Sequence, residues 1–119
     1  MSVSAAQAAV FYKEILKNGQ VWGIRDSGGI PALLNSDGDR SMPFWSLQSR
    51  AEKVIANVPA YRAFEPVAIP IDVWRTRWID GLERDGILVG LNWTGARAIG
   101  YDFRPAEGRA RLGVVESTD

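Results

Sequence analysis

The chain has 119 residues, 46% of them hydrophobic, and its 14 basic and 14 acidic side chains cancel in charge. These values indicate one globular domain with a packed core and argue against nucleic acid or a membrane surface as a partner. His and Cys are absent, which excludes disulfides, thiolate metal sites and the Ser-His and Cys-His catalytic arrangements. No apolar run approaches the length of about 18 residues that spans a bilayer, so we expect a cytoplasmic protein.

The first predicted element is a helix with capping-box spacing between Ser4 and Gln7, ending near Gly19. The segments QVWGIRD, IPALLN and SMPFW then predict three strands of an antiparallel meander, because the intervening DSGG and NSDGDR are typical of tight turns. Pro31 and Pro43 cannot donate a hydrogen bond to a strand ladder, so we expect their strands to have an exposed edge or to be interrupted.

The second half of the chain predicts two more helices, a strand and a hairpin. Ser46 is expected to cap a helix that Pro59 ends. After a buried strand at EPVAIPI, Asp72 is expected to cap a third helix that ends at Gly86. The predicted buried side of this helix consists of Trp74, Trp78, Ile79 and Leu82. ILVGLNW, with Ile87, Val89, Leu91 and Trp93 on one face, and RAIGYDF predict a hairpin closed at TGA, followed by a short helix from Pro105.

These elements predict a single compact α+β domain over residues 1–119. Its order is an N-terminal helix, a three-strand meander, a helix, a strand, a helix and a C-terminal hairpin. We expect a mainly antiparallel sheet with helices packed on one face. The ordered core is expected over about residues 4–112, and the C-terminal tail is expected to fray.

Three motifs follow one another in the order VWGIRDSGG, MPFWSLQSRAEKVI and IPIDVWRTRWIDGLERDGILVGLNW. In this order they resemble the small bacterial family catalogued as domain of unknown function 2750, over about residues 8–103. In the middle motif the matching residues are Pro43, Phe44, Trp45 and Ala51. The resemblance implies a bacterial α+β domain without an assigned activity, so function has to be sought in individual residues.

The loop NSDGDR places Asn35, Asp37 and Asp39 at alternate positions, which is how a calcium-binding EF-hand loop begins. In that register the position that requires Gly is Arg40, and the position that requires Glu is Ser46. The Asp-Gly pair inside the loop is also favoured in type I′ hairpin turns. We therefore predict a structural turn and no metal site.

Asp80 and Glu83 lie three residues apart on the predicted third helix, a spacing at which they could act as an acid and a base. Arg77 and Arg84 lie within one turn of Asp80 on either side, so a solvated ion-pair face is favoured. No P-loop is present. We predict no catalytic residue and no cofactor, and we expect Trp74, Trp78 and Trp93 in the core.

Two functions remain open. The favoured one is a non-enzymatic domain that binds another protein, of the bacterial immunity or regulatory kind, through Asp37, Asp39, Arg40 and Trp45. The alternative is a small-ligand-binding protein or an enzyme that uses Asp, Glu and Arg without His or Cys. A third interpretation is a homodimer formed through an exposed edge strand.

Overall fold

The computed structural model describes residues 3–35, 37–95 and 99–118. The elements are α1 (Val3–Asn18), β1 (Gln20–Arg25), β2 (Leu33–Leu34), β3 (Arg40–Phe44), α2 (Gln48–Asn57), a 3₁₀ turn (Pro59–Tyr61), β4 (Glu65–Pro70), α3 (Ile71–Val73), a π-helical turn (Trp74–Trp78), α4 (Ile79–Asp85), β5 (Leu88–Thr94), β6 (Ile99–Phe103) and α5 (Pro105–Thr118). The predicted α+β class and compact single domain are confirmed. None of the helices in these ranges combines the length and apolar character that crossing a bilayer requires.

The strands form a four-stranded sheet in the order β2-β3-β5-β6 and a two-stranded ribbon of β1 and β4. Neighbouring strands are antiparallel except for β3 and β5, which are parallel. The predicted meander is therefore wrong, because β1 pairs with β4 instead of β2. A backbone bridge between Trp22 and Trp45 joins the ribbon to the sheet. Strand patterns in the sequence show which residues share a face, but they do not specify the pairing partner.

The two prolines and β4 depart in part from expectation. β2 pairs with β3 at Ser41 and Arg40, so one edge of β3 is free of β2 at Pro43, although the Pro43 side chain is buried. Pro31 precedes β2 and lies outside the strand.

β4 was expected to be buried, but within it Ile69 alone is buried. The reason is that β1 lies between β4 and the four-stranded sheet, since it is β1 that bridges to Trp45.

The four-stranded sheet has a core on each face. The first core lies under α1, α4 and α5 and consists of Ala8, Phe11, Tyr12, Ile15, Val21, Met42, Phe44, Ile69, Trp74, Ile79, Leu82, Ile87, Val89, Leu91, Phe103 and Leu112. The second core lies under α2 and the ribbon and consists of Ile24, Trp45, Ala51, Val54, Val58, Tyr61 and Trp93. The prediction that helices pack on one face is wrong, because α1, α4 and α5 cover the first core and α2 covers the second, to which Trp45, the residue after β3, contributes its indole.

The ends of the helices test the capping predictions. Gly19 ends α1 with a φ of +71°, as expected, whereas the side chain of Ser4 lies outside the described residues. α2 begins at Gln48 with Leu47 at its N-cap position, so Ser46 is not the cap. The helix after β4 begins at Ile71, and Asp72 lies inside its first turn instead of capping it. In both cases the helix begins without a side-chain cap.

A π-helical turn connects α3 and α4 into one continuous helix. Trp74 and Ile79 are both 1% exposed and lie five residues apart, the spacing of a π turn. Trp78, which an α-helical period would place beside Trp74, is partly exposed. Trp78 nevertheless packs against the first core, with its ring centroid 6.3 Å from that of Phe44. The predicted buried face is therefore confirmed for Trp74, Ile79 and Leu82 and in part for Trp78. Gly86 ends the helix at a φ of +68°, as predicted.

A β-bulge interrupts β5 between Leu91 and Thr94. Asn92 within it has a φ of +50°. Leu91 belongs to the first core and Trp93 to the second, so the predicted common face of Ile87, Val89, Leu91 and Trp93 ends at the bulge. The indole of Trp93 occupies the space in which a Cβ on Gly90 would lie. A glycine at this position is required by packing.

The C-terminal hairpin of β5 and β6 is confirmed, and the predicted turn TGA extends beyond the described residues. α5 begins at Pro105, as predicted, but it continues to Thr118 instead of being short. Leu112 within α5 is buried in the first core. Fraying beyond Leu112, like the extent of the ordered core, stays a prediction.

Candidate functional site

The hairpin of β2 and β3 holds the acidic loop identified in the sequence. The side-chain oxygen of Asn35 accepts hydrogen bonds from the backbone N–H groups of Asp37 (3.0 Å) and Asp39 (2.9 Å). The N–H of Asn35 donates to the carbonyl of Asp39 at 2.8 Å. Gly38 adopts a φ of +85°, whereas Asp37 does not have a positive φ. The predicted hairpin turn is confirmed, but its type is not I′, which requires positive φ at both central residues.

Asp102 of β6 anchors this hairpin to the sheet. Its carboxylate accepts hydrogen bonds from the Asn35 amide (3.3 Å), the Ser41 hydroxyl (2.7 Å) and the Trp93 indole (3.2 Å). Ser41 is fully buried and Asp102 is half-buried. One carboxylate thus connects β6 to the loop, to β3 and to β5. The loop is consequently held by two sets of hydrogen bonds. One set lies within the loop, at the side chain of Asn35, and the other joins it to Asp102 on the edge strand β6.

The surroundings of Asp102 also alter its titration. Burial raises the pKa of the Asp102 carboxyl above its ordinary value, and the negative charge of Asp37 adds to the rise. The hydrogen bonds from Ser41, Asn35 and Trp93 lower the pKa but do not outweigh burial. Deprotonating this carboxyl therefore costs more free energy in the folded protein than in water. The same burial accompanies the hydrogen bonds by which Asp102 holds the hairpin.

The four predicted partner-binding residues do not form one surface. Asp37, Asp39 and Arg40 are exposed on the hairpin. Trp45 is 0% exposed, and its indole N–H donates to the carbonyl of Trp93 at 2.8 Å. The prediction that Trp45 offers an aromatic contact to a partner is therefore wrong, because its indole lies inside the second core. Whether the three charged residues bind a partner stays a prediction.

An apolar side chain that sequence reasoning missed lies next to these charges. Leu34 pairs with Arg40 across the hairpin and is 72% exposed, the highest value for a large hydrophobic residue among those described. Alternation within the short segment IPALLN did not reveal which leucine faces outward. Asp102 was also missed, because its alternating position in β6 is that of an ordinary solvent-facing residue. We call Leu34, Asp37, Asp39 and Arg40 the hairpin surface.

The oxygen ligands needed for a calcium loop are not gathered here. In the part of the chain that the structure describes, no group of three or more Asp and Glu side chains could hold a metal ion. The side-chain oxygen of Asn35 is already used by two backbone N–H groups. The geometry of the loop therefore follows from its own hydrogen bonds and needs no ion.

A second polar cluster lies at the C-terminal ends of β3 and β5. The Ser46 hydroxyl donates to the Glu14 carboxylate at 2.6 Å, and the Ser46 N–H donates to the side-chain oxygen of Asn92 at 3.0 Å. Arg50 forms an ion pair with Glu14 at 3.1 Å. Ser46 is completely buried, so its hydroxyl is not presented to a substrate. The cluster instead links α1, the β5 bulge and the beginning of α2.

The carboxylates of the third predicted helix form ion pairs, as expected, but with a different arginine. Asp80 pairs with Arg109 of α5, and Glu83 lies 3.6 Å from the same guanidinium. Arg84 instead contacts its neighbour Asp85 at 3.5 Å. These ion pairs connect α4 to α5. The sequence could not show this connection, because Arg109 is distant from Asp80 and Glu83 along the chain.

Trp22 and the two outer strands of the sheet are the other surface features that could meet a partner. Trp22 is partly buried and packs against the second core, so it is not an aromatic displayed on a flat surface. β2 and β6 are the outer strands of the four-stranded sheet. A homodimer formed through one of these edges stays a prediction.

The family model described as "Protein of unknown function (DUF2750)" matches residues 8–112. This match includes the hairpin, the π-containing helix and every residue of both cores. No curated protein matches the chain.

Proposed function

We propose that this chain, which belongs to the DUF2750 family, is a non-enzymatic domain that binds another protein through the hairpin surface. The partner relationship would be of the bacterial immunity or regulatory kind. The observation that carries the proposal is the fixing of an exposed loop by Asn35 and Asp102. A loop ordered before binding loses less conformational entropy when a partner docks, so more of the contact energy appears as affinity.

The chemistry of the surface defines the partner it suits. Leu34 supplies an apolar contact that is exposed in the free protein. Asp37 and Asp39 present two negative charges beside it, and Arg40 presents a positive charge. A complementary partner has an apolar depression for the leucine and basic side chains at its rim. The charges would orient the encounter and the leucine would contribute to the lifetime of the complex.

The test is affinity capture from a lysate of the source organism with the immobilised domain, followed by mass spectrometry. The wild-type domain should retain one protein in stoichiometric amount. The double variant Asp37→Lys with Asp39→Lys should lose it, and Leu34→Ser should weaken the capture. A matched control carries Glu52→Lys and Glu107→Lys, because both residues are exposed and take part in no ion pair among the described residues.

Urea unfolding of each variant separates lost binding from lost folding. Retention of the same protein by the Asp37→Lys, Asp39→Lys variant would show that the hairpin surface is not the binding site. Loss of capture in the Glu52→Lys, Glu107→Lys control would point to a general effect of charge. Either outcome would contradict the proposal.

A further inference from the structure

A groove of about 420 Å³ runs along the π-containing helix, and its lining includes no residue of the hairpin surface. Its apolar lining includes Met42, Trp78, Leu82 and Ile87. Two arginines, Arg77 and Arg84, and the neighbouring Asp85 provide its charged groups. We propose that this groove binds a small carboxylate with an apolar, aromatic body. The volume falls within the range of about 300–1,000 Å³ that small-molecule sites occupy.

The π turn places an aromatic side chain in the wall of this groove. Trp74 and Ile79 occupy the core, whereas Trp78 packs against the core and stays partly exposed in the lining of the groove. π-helical turns are rare and occur frequently at functional sites. Here part of the Trp78 indole lies in the lining of the groove and offers apolar surface to a flat ring.

Gly81 provides the space for the ligand between the two arginines. It lies four residues after Arg77 and three before Arg84, so all three positions share one helix face. A Cβ at Gly81 would meet Arg84 alone, at an ordinary contact distance of 3.7 Å. Packing therefore does not require a glycine here, in contrast to Gly108 of α5, where the ring of Phe103 occupies the Cβ position.

The charges of the groove favour an anion. Arg77 forms no ion pair with any described residue. Arg84 makes a 3.5 Å contact with Asp85 in which both side chains are largely exposed. Two arginines against one aspartate leave a net positive charge, which a single carboxylate neutralises. The planar guanidinium of arginine can bind a carboxylate through two parallel hydrogen bonds.

The probe for the test is 2-naphthoate, and its neutral isostere 2-naphthamide is the matched ligand. Calorimetric titration of the wild-type protein should give saturable one-to-one binding of 2-naphthoate, with the amide weaker by about tenfold. Arg77→Gln should weaken 2-naphthoate by a similar factor, and Gly81→Leu should abolish binding by filling the groove. The indole N–H resonance of Trp78, assigned with Trp78→Phe, should shift on titration.

Two control variants match these changes elsewhere on the protein. Arg62→Gln removes another exposed arginine, and Gly113→Leu adds a side chain to a helix glycine that faces open space. Both should bind 2-naphthoate like the wild type. The proposal is overturned if the wild type does not saturate at millimolar probe, if acid and amide bind equally, or if Gly81→Leu binds normally. None of these results bears on the hairpin surface, so the two proposals fail independently.

Discussion

The indole N–H of Trp45 donates a hydrogen bond of 2.8 Å to the carbonyl of Trp93 in the second core. Trp45 follows β3, and Trp93 follows Asn92 in the bulge of β5. The bond therefore joins the ends of the two parallel strands on the face covered by α2. It also satisfies the one polar atom of a completely buried indole.

The different burial of two tryptophans predicts different effects on stability. Trp45→Ala should lower the free energy of unfolding by about 3–5 kcal/mol, because it removes a fully buried indole. Trp78→Ala should cost about 1–2 kcal/mol, since its indole is partly exposed at the groove. Equilibrium unfolding in urea measures both losses. Equal losses would show that the partly exposed indole of Trp78 contributes as much to the core as the buried indole of Trp45.

The hairpin loop offers a matched pair of substitutions. Gly38→Val should destabilise the domain by about 1–2 kcal/mol, because a β-branched residue would have to adopt the positive φ of Gly38. Asp39→Asn should change the stability by less than about 0.5 kcal/mol, since the exposed side chain keeps its size. Thermal or urea unfolding would check both values. A silent Gly38→Val would mean that the loop adopts another backbone conformation.

The raised pKa of Asp102 predicts a pH dependence. In the unfolded chain this carboxyl loses its proton near its ordinary value of 3.8. The folded protein retains the proton to higher pH, so stability from this group is greatest below that value and declines as pH rises through the raised pKa. Asp102→Asn should remove this decline, which begins near pH 3.8 and is complete above the raised pKa. The free energy of unfolding is compared at several pH values, with Asp39→Asn as the control. A wild-type and an Asp102→Asn curve of the same shape would contradict the assignment.

Two glycines should respond to alanine with opposite signs. Gly90→Ala should destabilise the domain by about 1–3 kcal/mol, because its methyl group overlaps the indole of Trp93. Gly81→Ala should stabilise it by about 0.5–1 kcal/mol, since alanine is the better helix former and its Cβ fits. Urea unfolding of the two variants provides the measurement. A loss of stability in Gly81→Ala would indicate strain that the contacts at this position do not show.

Local signals in the sequence predicted the elements better than their arrangement. Gly19 and Gly86 end helices because their positive φ values are intrinsic to glycine at such sites. The pairing of β1 with β4 could not be predicted in the same way. It depends on contacts between residues far apart along the chain, such as Trp22 and Ala68, for which local periodicity carries no information.

The candidate site was predicted only in part, because some of its contacts also join residues that are distant along the chain. Asp37 and Asp39 stood out because an Asp-Gly pair has a local backbone preference. Trp45 was assigned to the surface because it lies near the loop in sequence, yet its indole contacts β5 instead. Asp102 acquires its role from Asn35 and Ser41, two residues on another hairpin. The α-helical period used to predict the buried face does not hold across the π turn of Trp74–Trp78, within which Trp78 is only partly buried.

The parallel pairing of β3 with β5 also bears on how the chain folds. Ser41 pairs with Leu88, and in the ribbon Gln20 pairs with Pro70, so both pairings enclose much of the chain between their partners. Closing such loops costs entropy before any contact is gained, which slows folding relative to helical proteins of similar size. Helices and the β5–β6 hairpin can form early from local contacts, whereas the central pair of β3 and β5 requires strands that are distant along the chain. The β3 strand remains without its central neighbour until β5 has been synthesised, so the complete four-stranded sheet can form only after β5 and β6 have left the ribosome.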